Sequence, residues 1–297
     1  MIVQRIAFVG LGLIGGSFAR ALRKAGAVGE IIGHDLDPLR AATALELGVI
    51  SRVADSLADA VREADVVVLS VPVLQTREVL SQLALFLRDE AILTDVGSTK
   101  LSVQEDVAAV FGALPPRFVG GHPVAGVEKS GVEASFAELF QGRRCILTPH
   151  AAQDPAALAT VRALWEAAGS VVCEMSAGHH DEVLAATSHL PHVLAYALVD
   201  FLNTLDSSRE IFAYAAGGFR DFTRIASSSP KMWHDITRAN RDAVLGALDG
   251  YLGELHKLRE AITDDDGPAI LDIYTRARDA RERYLELVER PAATKKT

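Results

Sequence analysis

His122 is the residue of this sequence that is best suited to do chemistry. It lies between Gly121 and Pro123, directly after an apolar run that predicts a strand, and it has no obvious packing role there. An imidazole titrates near neutral pH, so it can take a proton from an alcohol while a hydride leaves the same carbon. Considered alone, His122 fits a catalytic base and a structural histidine equally well.

Two polar clusters interrupt the second half of the chain. His189 and His192 are three residues apart beside Pro191, which places both imidazoles on one face of a predicted helix. They could bind a metal, but no third ligand presents itself, and no metal is predicted. Asp221 and Arg224 have the same spacing. Their ions could hold an anionic substrate, or they could form a solvated surface pair.

A glycine-rich turn near the start of the chain indicates nucleotide binding. An apolar strand at residues 5–9 runs into Gly10, Gly12 and Gly15, in a GxGxxG pattern that opens a helix. The first glycine permits a tight turn, the second lets the backbone approach a pyrophosphate, and the third allows close packing of helix on sheet. This order of elements is the dinucleotide-binding fingerprint in its required context.

The residues around this turn predict which cofactor it binds. The helix begins near Leu13 and Ile14, so its free N–H groups and positive dipole end face the phosphates. Asp35 ends the second predicted strand, where its carboxylate would accept hydrogen bonds from a ribose 2′-OH. That favours NAD, while Arg40 could help to hold a phosphate and leaves NADP open.

The elements that must position these residues alternate between strand and helix in the first half. Residues 1–175 therefore predict a doubly wound, Rossmann-type parallel sheet. Ligands of such sheets bind beyond the carboxyl ends of the strands. Ser70 and Pro72 follow one predicted strand and would pass near the nicotinamide, and Ser98 and His122 follow two others.

The second half has a different pattern. No further β-branched runs appear after about residue 176, and residues 176–290 predict an all-α domain. Its most apolar stretch, residues 183–202, is too polar to span a bilayer and predicts a buried helix. Residues 291–297 predict a flexible tail.

Composition limits the class of protein. The 297 residues are 49% hydrophobic and 23% charged, which is typical of a globular protein with ample core. A net charge of −9 argues against binding to nucleic acid or an anionic membrane. Two cysteines without metal or redox spacing indicate a reducing compartment. The first strand follows Met1 too closely for a signal peptide, so a cytoplasmic location is expected.

Taken together, these motifs resemble the prephenate/arogenate dehydrogenase family, the NAD(P)-dependent enzymes of tyrosine biosynthesis. The resemblance extends over nearly the whole chain and rests on five ordered motifs, at residues 10–17, 95–100, 122–131, 188–192 and 217–226. It implies oxidative decarboxylation of a cyclohexadienol with hydride transfer to the cofactor. It also implies a homodimer formed through the helical domain.

The resemblance further implies roles for single residues. His122 accepts the proton of the ring hydroxyl, Ser98 orients the imidazole, and Arg224 binds a substrate carboxylate. The other substrate-binding residues that it implies are His189, His192, Asp221, Glu128 and Trp233, the last possibly supplied by the partner subunit. Members of the family often carry a hydroxyl residue where this chain has Val127.

Two alternatives remain at this level. A β-hydroxyacid-type dehydrogenase would share the plan but typically relies on a lysine in the helical domain, where only Lys231 and Lys257 precede the tail. An NAD-sensing scaffold would need neither His122 nor Arg224. The choice between prephenate and arogenate, and any inhibition by tyrosine, stay open.

Overall fold

The computed structural model describes residues 1–127 and 129–289, with side chains to residue 286. The strands of these residues are β1 (Val3–Val9), β2 (Val28–His34), β3 (Arg52–Val53), β4 (Val66–Leu69), β5 (Ile92–Asp95), β6 (Phe118–Pro123), β7 (Arg144–Thr148) and β8 (Val171–Glu174). The helices are α1 (Leu13–Lys24), α2 (Pro38–Glu46), α3 (Leu57–Val61), α4 (Thr76–Leu83), α5 (Leu101–Phe111), α6 (Pro155–Ala167), α7 (Ala177–Leu184), α8 (Leu190–Asn203), α9 (Ser208–Ala213), α10 (Gly217–Thr223), α11 (Pro230–Ala239), α12 (Arg241–Thr263) and α13 (Gly267–Glu289).

The strands form one sheet in the order β3-β2-β1-β4-β5-β6-β7-β8. This order, with helices between the strands and further helices after β8, confirms the predicted doubly wound α/β domain followed by helices. All neighbouring strands are parallel except β6 and β7, which are antiparallel. The predicted parallel sheet is thus parallel at every pair but this one. A parallel return needs a crossover, usually a helix, whereas the described part of the link to β7 contains only a one-turn 3₁₀ helix at Val132–Ala134.

The short strand β3 was also not predicted. It contains only Arg52 and Val53, which pair with Ile32 and Gly33 of β2 at the edge of the sheet. Two residues carry no recognisable period, so nothing in the sequence distinguishes this strand from a loop.

The central strands are covered on both faces. All four residues of β4 are buried, which explains why this strand reads as an unbroken apolar run. On one face Phe18 of α1 stacks on Trp165 of α6, with ring centroids 3.7 Å apart and planes at 2°. Phe8 and Phe140 contact the same cluster edge-on. This aromatic cluster holds α1, the helix that follows the glycine turn, against the sheet.

A π-helical turn at Ala185–His189 joins α7 to α8. Pro191 has no N–H to donate to the residue four positions earlier, so the regular ladder is interrupted here. Such π turns are frequent at functional sites because they redirect side chains. This one leaves His189 only 1% exposed.

Helix α8 is less covered than expected for its apolar sequence. Ala195 is its only buried residue in the described chain, and Phe201 is 58% exposed. The expectation of a buried helix is therefore not met within the described residues of a single chain.

The contacts divide the chain into two compact units, residues 1–244 and 245–297. The first unit therefore contains the sheet together with α7 to α11. The second contains most of α12 and the whole of α13. The turn between these two helices includes Asp265, whose φ is +52°.

The predicted boundary near residue 175 stays a prediction, and the predicted tail at 291–297 lies outside the described residues. None of the described helices combines the length and apolarity that crossing a membrane requires.

Candidate active site

The glycine turn forms a cradle that a side chain would fill. Gly10 has a φ of +93°, and a Cβ there would lie 2.5 Å from the carbonyl oxygen of Ser70. A Cβ at Gly15 would lie 2.8 Å from the carbonyl oxygen of Gly10. Gly12 differs, because nothing lies within 4 Å of the position its Cβ would take. It is also the N-cap of α1 and has no side-chain cap, so the helix terminus is left to bind an anion.

Ser70 supports this turn from the neighbouring strand. Its hydroxyl donates to the carbonyl oxygen of Gly10 at 2.5 Å. Pro72, two residues on, is exposed, and Leu13 and Ile14 are half-buried at the start of α1. Ser70 therefore shapes the loop, and direct contact of these residues with a cofactor stays a prediction.

Asp35 connects the end of β2 to the same turn. Its carboxylate accepts hydrogen bonds from the backbone N–H groups of Leu11, at 2.7 Å, and Asp37, at 2.9 Å. Arg40 forms an ion pair with it, Nη1 to Oδ1 at 3.1 Å, and is itself 43% exposed. An acidic and a basic group thus lie together where a ribose would be expected, as the sequence suggested.

A buried ion pair lies beneath the next strand ends. The Nζ of Lys100 donates to the carboxylate of Asp95 and, at 2.7 Å, to the carbonyl oxygen of Gly121. The Asp95 carboxylate also accepts from the N–H groups of Gly97, at 2.8 Å, and Gly121, at 3.2 Å. The two side chains are 0% and 3% exposed. The pair ties the Ser98 loop to the residue before His122, and the sequence analysis missed it.

His122 lies at the end of β6 and is 8% exposed. Its Nδ1 lies 2.8 Å from Nε2 of His180, whose own Nδ1 lies 2.7 Å from a carboxylate oxygen of Asp181. Burial, and then the charges of His180, Lys100 and His189, hold the pKa of His122 well below its ordinary value of 6.5. The imidazole is therefore neutral at physiological pH, as a base must be.

Ser98, half-buried in its loop, was expected to orient the imidazole of His122, and that role stays a prediction. The partner that the structure shows at Nδ1 of His122 is His180, which was not predicted. The signal was a His-Asp pair at 180–181 behind the helix cap Ser176. It was overlooked because nothing local distinguishes these two residues from an ordinary polar helix face.

His189 and His192, the two histidines predicted for the helical region, both lie against Trp233. The His192 ring stacks on Trp233 of the same chain, with centroids 3.5 Å apart, and the His189 ring lies 6.0 Å from that indole. Nδ1 of His192 donates to the carbonyl oxygen of Ser188 at 2.8 Å. Within the described residues, no group of three or more histidine, cysteine, aspartate or glutamate side chains is placed to hold a metal ion.

The buried His189 makes folding sensitive to acid. Burial lowers its pKa from 6.5 to about 4. The unfolded chain therefore binds more protons than the folded chain between these values, and stability falls as the pH drops from 6.5 to 4. The expected loss is about 3 kcal/mol from this residue. Urea unfolding at both pH values measures it. In His189→Asn the dependence on pH should be clearly smaller, and an equal dependence would contradict the assignment.

Arg224 begins a 3₁₀ turn that packs on α8 beside these rings. After burial, its charge contributes to lowering the pKa of His192, which indicates that the guanidinium lies nearby. Asp221, which was expected to hold Arg224, lies 3.9 Å from Arg220, with both side chains largely exposed, and its role at Arg224 stays a prediction. Glu128, expected to join the same network, lies outside the described residues.

Comparison with known proteins identifies the family. Residues 18–174 match the model of the prephenate dehydrogenase nucleotide-binding domain, and residues 176–275 match that of the prephenate dehydrogenase dimerization domain. A cyclohexadienyl dehydrogenase of Zymomonas mobilis is 41% identical, and the alignment covers 94% of this chain and 96% of that protein. A prephenate dehydrogenase of Bacillus subtilis is also 41% identical, over 93% of this chain and 75% of that protein.

Solved structures agree in fold over the same length. A prephenate dehydrogenase of A. aeolicus in complex with hydroxyphenyl propionate and NAD+ superposes with a TM-score of 0.88 at 40% identity, covering 95% of this chain and 98% of that one. An arogenate dehydrogenase of Synechocystis gives a TM-score of 0.81 at 28% identity, over 95% of this chain and all of that one. With both halves matched in order, this chain belongs to the prephenate dehydrogenase family of oxidoreductases.

Proposed function

We propose that the protein oxidatively decarboxylates prephenate or arogenate, with NAD as the preferred hydride acceptor. The observation that carries the proposal is a neutral, buried His122 at the carboxyl end of a strand in the sheet whose first strand leads into the glycine cradle. The relatives supply the substrate class, since the A. aeolicus complex holds hydroxyphenyl propionate and NAD+. The rest follows from what the residues can do.

The glycine turn fits a dinucleotide. Open space at Gly12 and the uncapped start of α1 would receive the pyrophosphate, and Asp35 would lie at the ribose. When bound, the nicotinamide supplies the hydride acceptor. The protein then has to hold the substrate so that its ring carbon lies next to the nicotinamide.

The protein's own residues hold the substrate and move one proton. Arg224 would bind a substrate carboxylate, beside His192 and Trp233. As hydride leaves the ring carbon, Nε2 of His122 takes the hydroxyl proton and a ketone forms. The carboxylate then leaves as carbon dioxide and its bonding electrons make the ring aromatic. The same proton returns from His122 to the phenolate oxygen, so none is gained or lost.

A direct assay tests the proposal. Purified protein is mixed with prephenate or arogenate and with NAD or NADP, and reduced cofactor is followed by its absorbance. Turnover of either substrate with NAD is expected. Absence of turnover with both substrates and both cofactors would overturn the proposal. The comparison of prephenate with arogenate decides which of the two is the substrate.

Removal of the Arg224 guanidinium should weaken substrate binding. In Arg224→Ala we expect KM for the substrate to rise about 10- to 100-fold, because a hydrogen bond to a charged group contributes about 1.5–3 kcal/mol. Binding of NAD, measured by calorimetry, should stay unchanged. Arg220→Ala is the matched control, since Arg220 lies on α10 with its side chain 84% exposed. Equal KM values for the two variants would contradict the role of Arg224.

Asp35 should set the preference for NAD. Replacing it with serine removes the charge that would repel a 2′-phosphate and releases Arg40 from its ion pair. We expect the ratio of kcat/KM for NADP to that for NAD to rise at least about 10-fold, which corresponds to about 1.4 kcal/mol. The double variant Asp35→Ser/Arg40→Ala should lose most of this gain. An unchanged ratio in Asp35→Ser would show that other residues select the cofactor.

We further infer a homodimer that covers α8. The half-exposed apolar surface of this helix, including Phe201, needs a cover, and its residues fall in the range that matches the dimerization domain. Light scattering should give twice the mass of one chain. A stable monomer at micromolar concentration would overturn this inference. A cytoplasmic location stays a prediction.

A further inference from the structure

We propose that His180 is a positioning residue that fixes the tautomer of His122, so that Nε2 of His122 carries the lone pair that takes the substrate's proton. The role in proton transfer rests on the function proposed above, whereas the tautomer of His122 follows from the hydrogen bonds alone. It follows from a buried chain of hydrogen bonds in which the donor at each step is determined by the previous one.

The chain of hydrogen bonds starts at the carboxylate of Asp181. Its two oxygens accept hydrogen bonds from the backbone N–H groups of Lys100, at 2.8 Å, and Leu101, at 3.0 Å. These groups lie at the start of α5, where the helix dipole favours a negative charge. A carboxylate that accepts backbone N–H groups at a helix N-terminus is acceptor-only. The third contact, from Nδ1 of His180 at 2.7 Å, must therefore be a donated N–H.

The state of His180 then determines that of His122. A neutral imidazole that carries its proton on Nδ1 has its lone pair on Nε2. Nε2 of His180 lies 2.8 Å from Nδ1 of His122, and two nitrogens at that distance share one proton. With His180 neutral, its Nε2 can only accept, and the shared proton is on Nδ1 of His122. Its Nε2 is left as the acceptor, which is the atom a general base must present to a hydroxyl.

Burial preserves this arrangement through the reaction. The side chains of His180 and Asp181 are 0% and 5% exposed, so no water competes for their hydrogen bonds. When Nε2 of His122 receives a proton, the Nδ1–H bond to His180 need not change. The imidazolium that then forms at His122 is stabilised by the negative charge of Asp181, which contacts His180 on the side away from His122.

His189 supplies a contrast within the same structure. Nδ2 of Asn240 donates to the backbone carbonyl oxygen of Asp181 at 2.8 Å, which establishes which end of that amide is nitrogen. The same nitrogen lies 3.1 Å from Nδ1 of His189. Nδ1 of His189 is therefore an acceptor, and its proton is on Nε2. Two buried histidines of one site are thus expected in opposite tautomers.

Nitrogen NMR on the protein with labelled histidine tests these assignments without turnover. The 15N shifts distinguish the two tautomers, and spectra of His122→Asn and His189→Asn assign the signals. Wild-type protein at pH 7.5 should show His122 protonated on Nδ1 and His189 on Nε2. A His122 signal protonated on Nε2 would overturn the inference. Because this measurement needs no substrate, it stands even if the proposed reaction fails.

Kinetics of His180 variants test the consequence. His180→Leu removes the acceptor, and kcat should fall about 100-fold with KM changed less than about threefold. His180→Gln keeps an acceptor near the Nε2 position and a donor for Asp181, so most of kcat should return. His179→Leu, at a neighbour that is 61% exposed, is the matched control and should resemble wild type. If His180→Leu keeps the wild-type kcat, or if the glutamine variant is no better than the leucine variant, the positioning role is wrong.

Discussion

Replacing His122 with asparagine is expected to lower kcat by about 10²- to 10⁴-fold, the usual contribution of a general base. Asparagine places an amide N–H near the position of the imidazole Nδ1, so the hydrogen bond to His180 can persist. What the variant lacks is the nitrogen that would face the hydroxyl. Steady-state kinetics with saturating substrate and cofactor measure the loss.

The controls for this variant separate chemistry from folding. Binding of NAD, measured by calorimetry, and the unfolding midpoint in urea should stay close to wild type. His179→Asn, an exposed histidine on α7, should keep full activity. A kcat within about threefold of wild type in His122→Asn would exclude His122 as the base. An NAD-sensing scaffold, the non-enzymatic alternative, predicts no turnover even in the wild-type protein.

Replacing Lys100 with methionine is expected to destabilise the protein by about 3–5 kcal/mol, as is usual when one partner of a buried ion pair is removed. Methionine matches the length of the stem but leaves the carboxylate of Asp95 with only two backbone N–H groups. The carbonyl oxygen of Gly121 also loses its donor. Urea unfolding at equal protein concentrations measures the change, because the stability of a dimer depends on concentration.

Two further variants show whether burial is the cause. Lys24→Met removes an ion pair of similar geometry, 2.6 Å to Glu138, in which the side chains are 67% and 57% exposed. We expect it to change stability by less than about 1 kcal/mol. Lys100→Met/Asp95→Asn removes the orphaned charge and should be more stable than Lys100→Met alone. If Lys100→Met and Lys24→Met lower the free energy of unfolding equally, the buried ion pair contributes no more to stability than the exposed one.

These two experiments concern different layers of one site. Lys100 and Asp95 lie under the loop that carries Ser98 and under the strand that carries His122. Loss of the pair should therefore lower activity through misplacement of His122 as well as lowering stability. Loss of His122 should lower activity alone. The difference between the two profiles separates the support of the site from its chemistry.

The sequence by itself determined the features that are encoded locally. A strand, three spaced glycines and a helix lie within a few residues of one another, so the sequence alone locates the turn at Gly10, Gly12 and Gly15, which Ser70 of the neighbouring strand then supports. The same holds for the start of α2, where Asp37 caps the helix and Pro38 opens it. The order of motifs along the chain was sufficient to identify the family.

Only the tertiary structure decided the partners of the reacting groups. His122 and His180 are 58 positions apart, and the N–H of Lys100 meets the carboxylate of Asp181 across 81 positions. No periodicity links residues at such separations, because their contact depends on how α5, α7 and β6 pack. The antiparallel direction of β7 was also decided only by the tertiary structure, since strand direction depends on the path of the connecting chain. Local rules thus determined which groups this protein carries, and packing decided which atom of His122 can act.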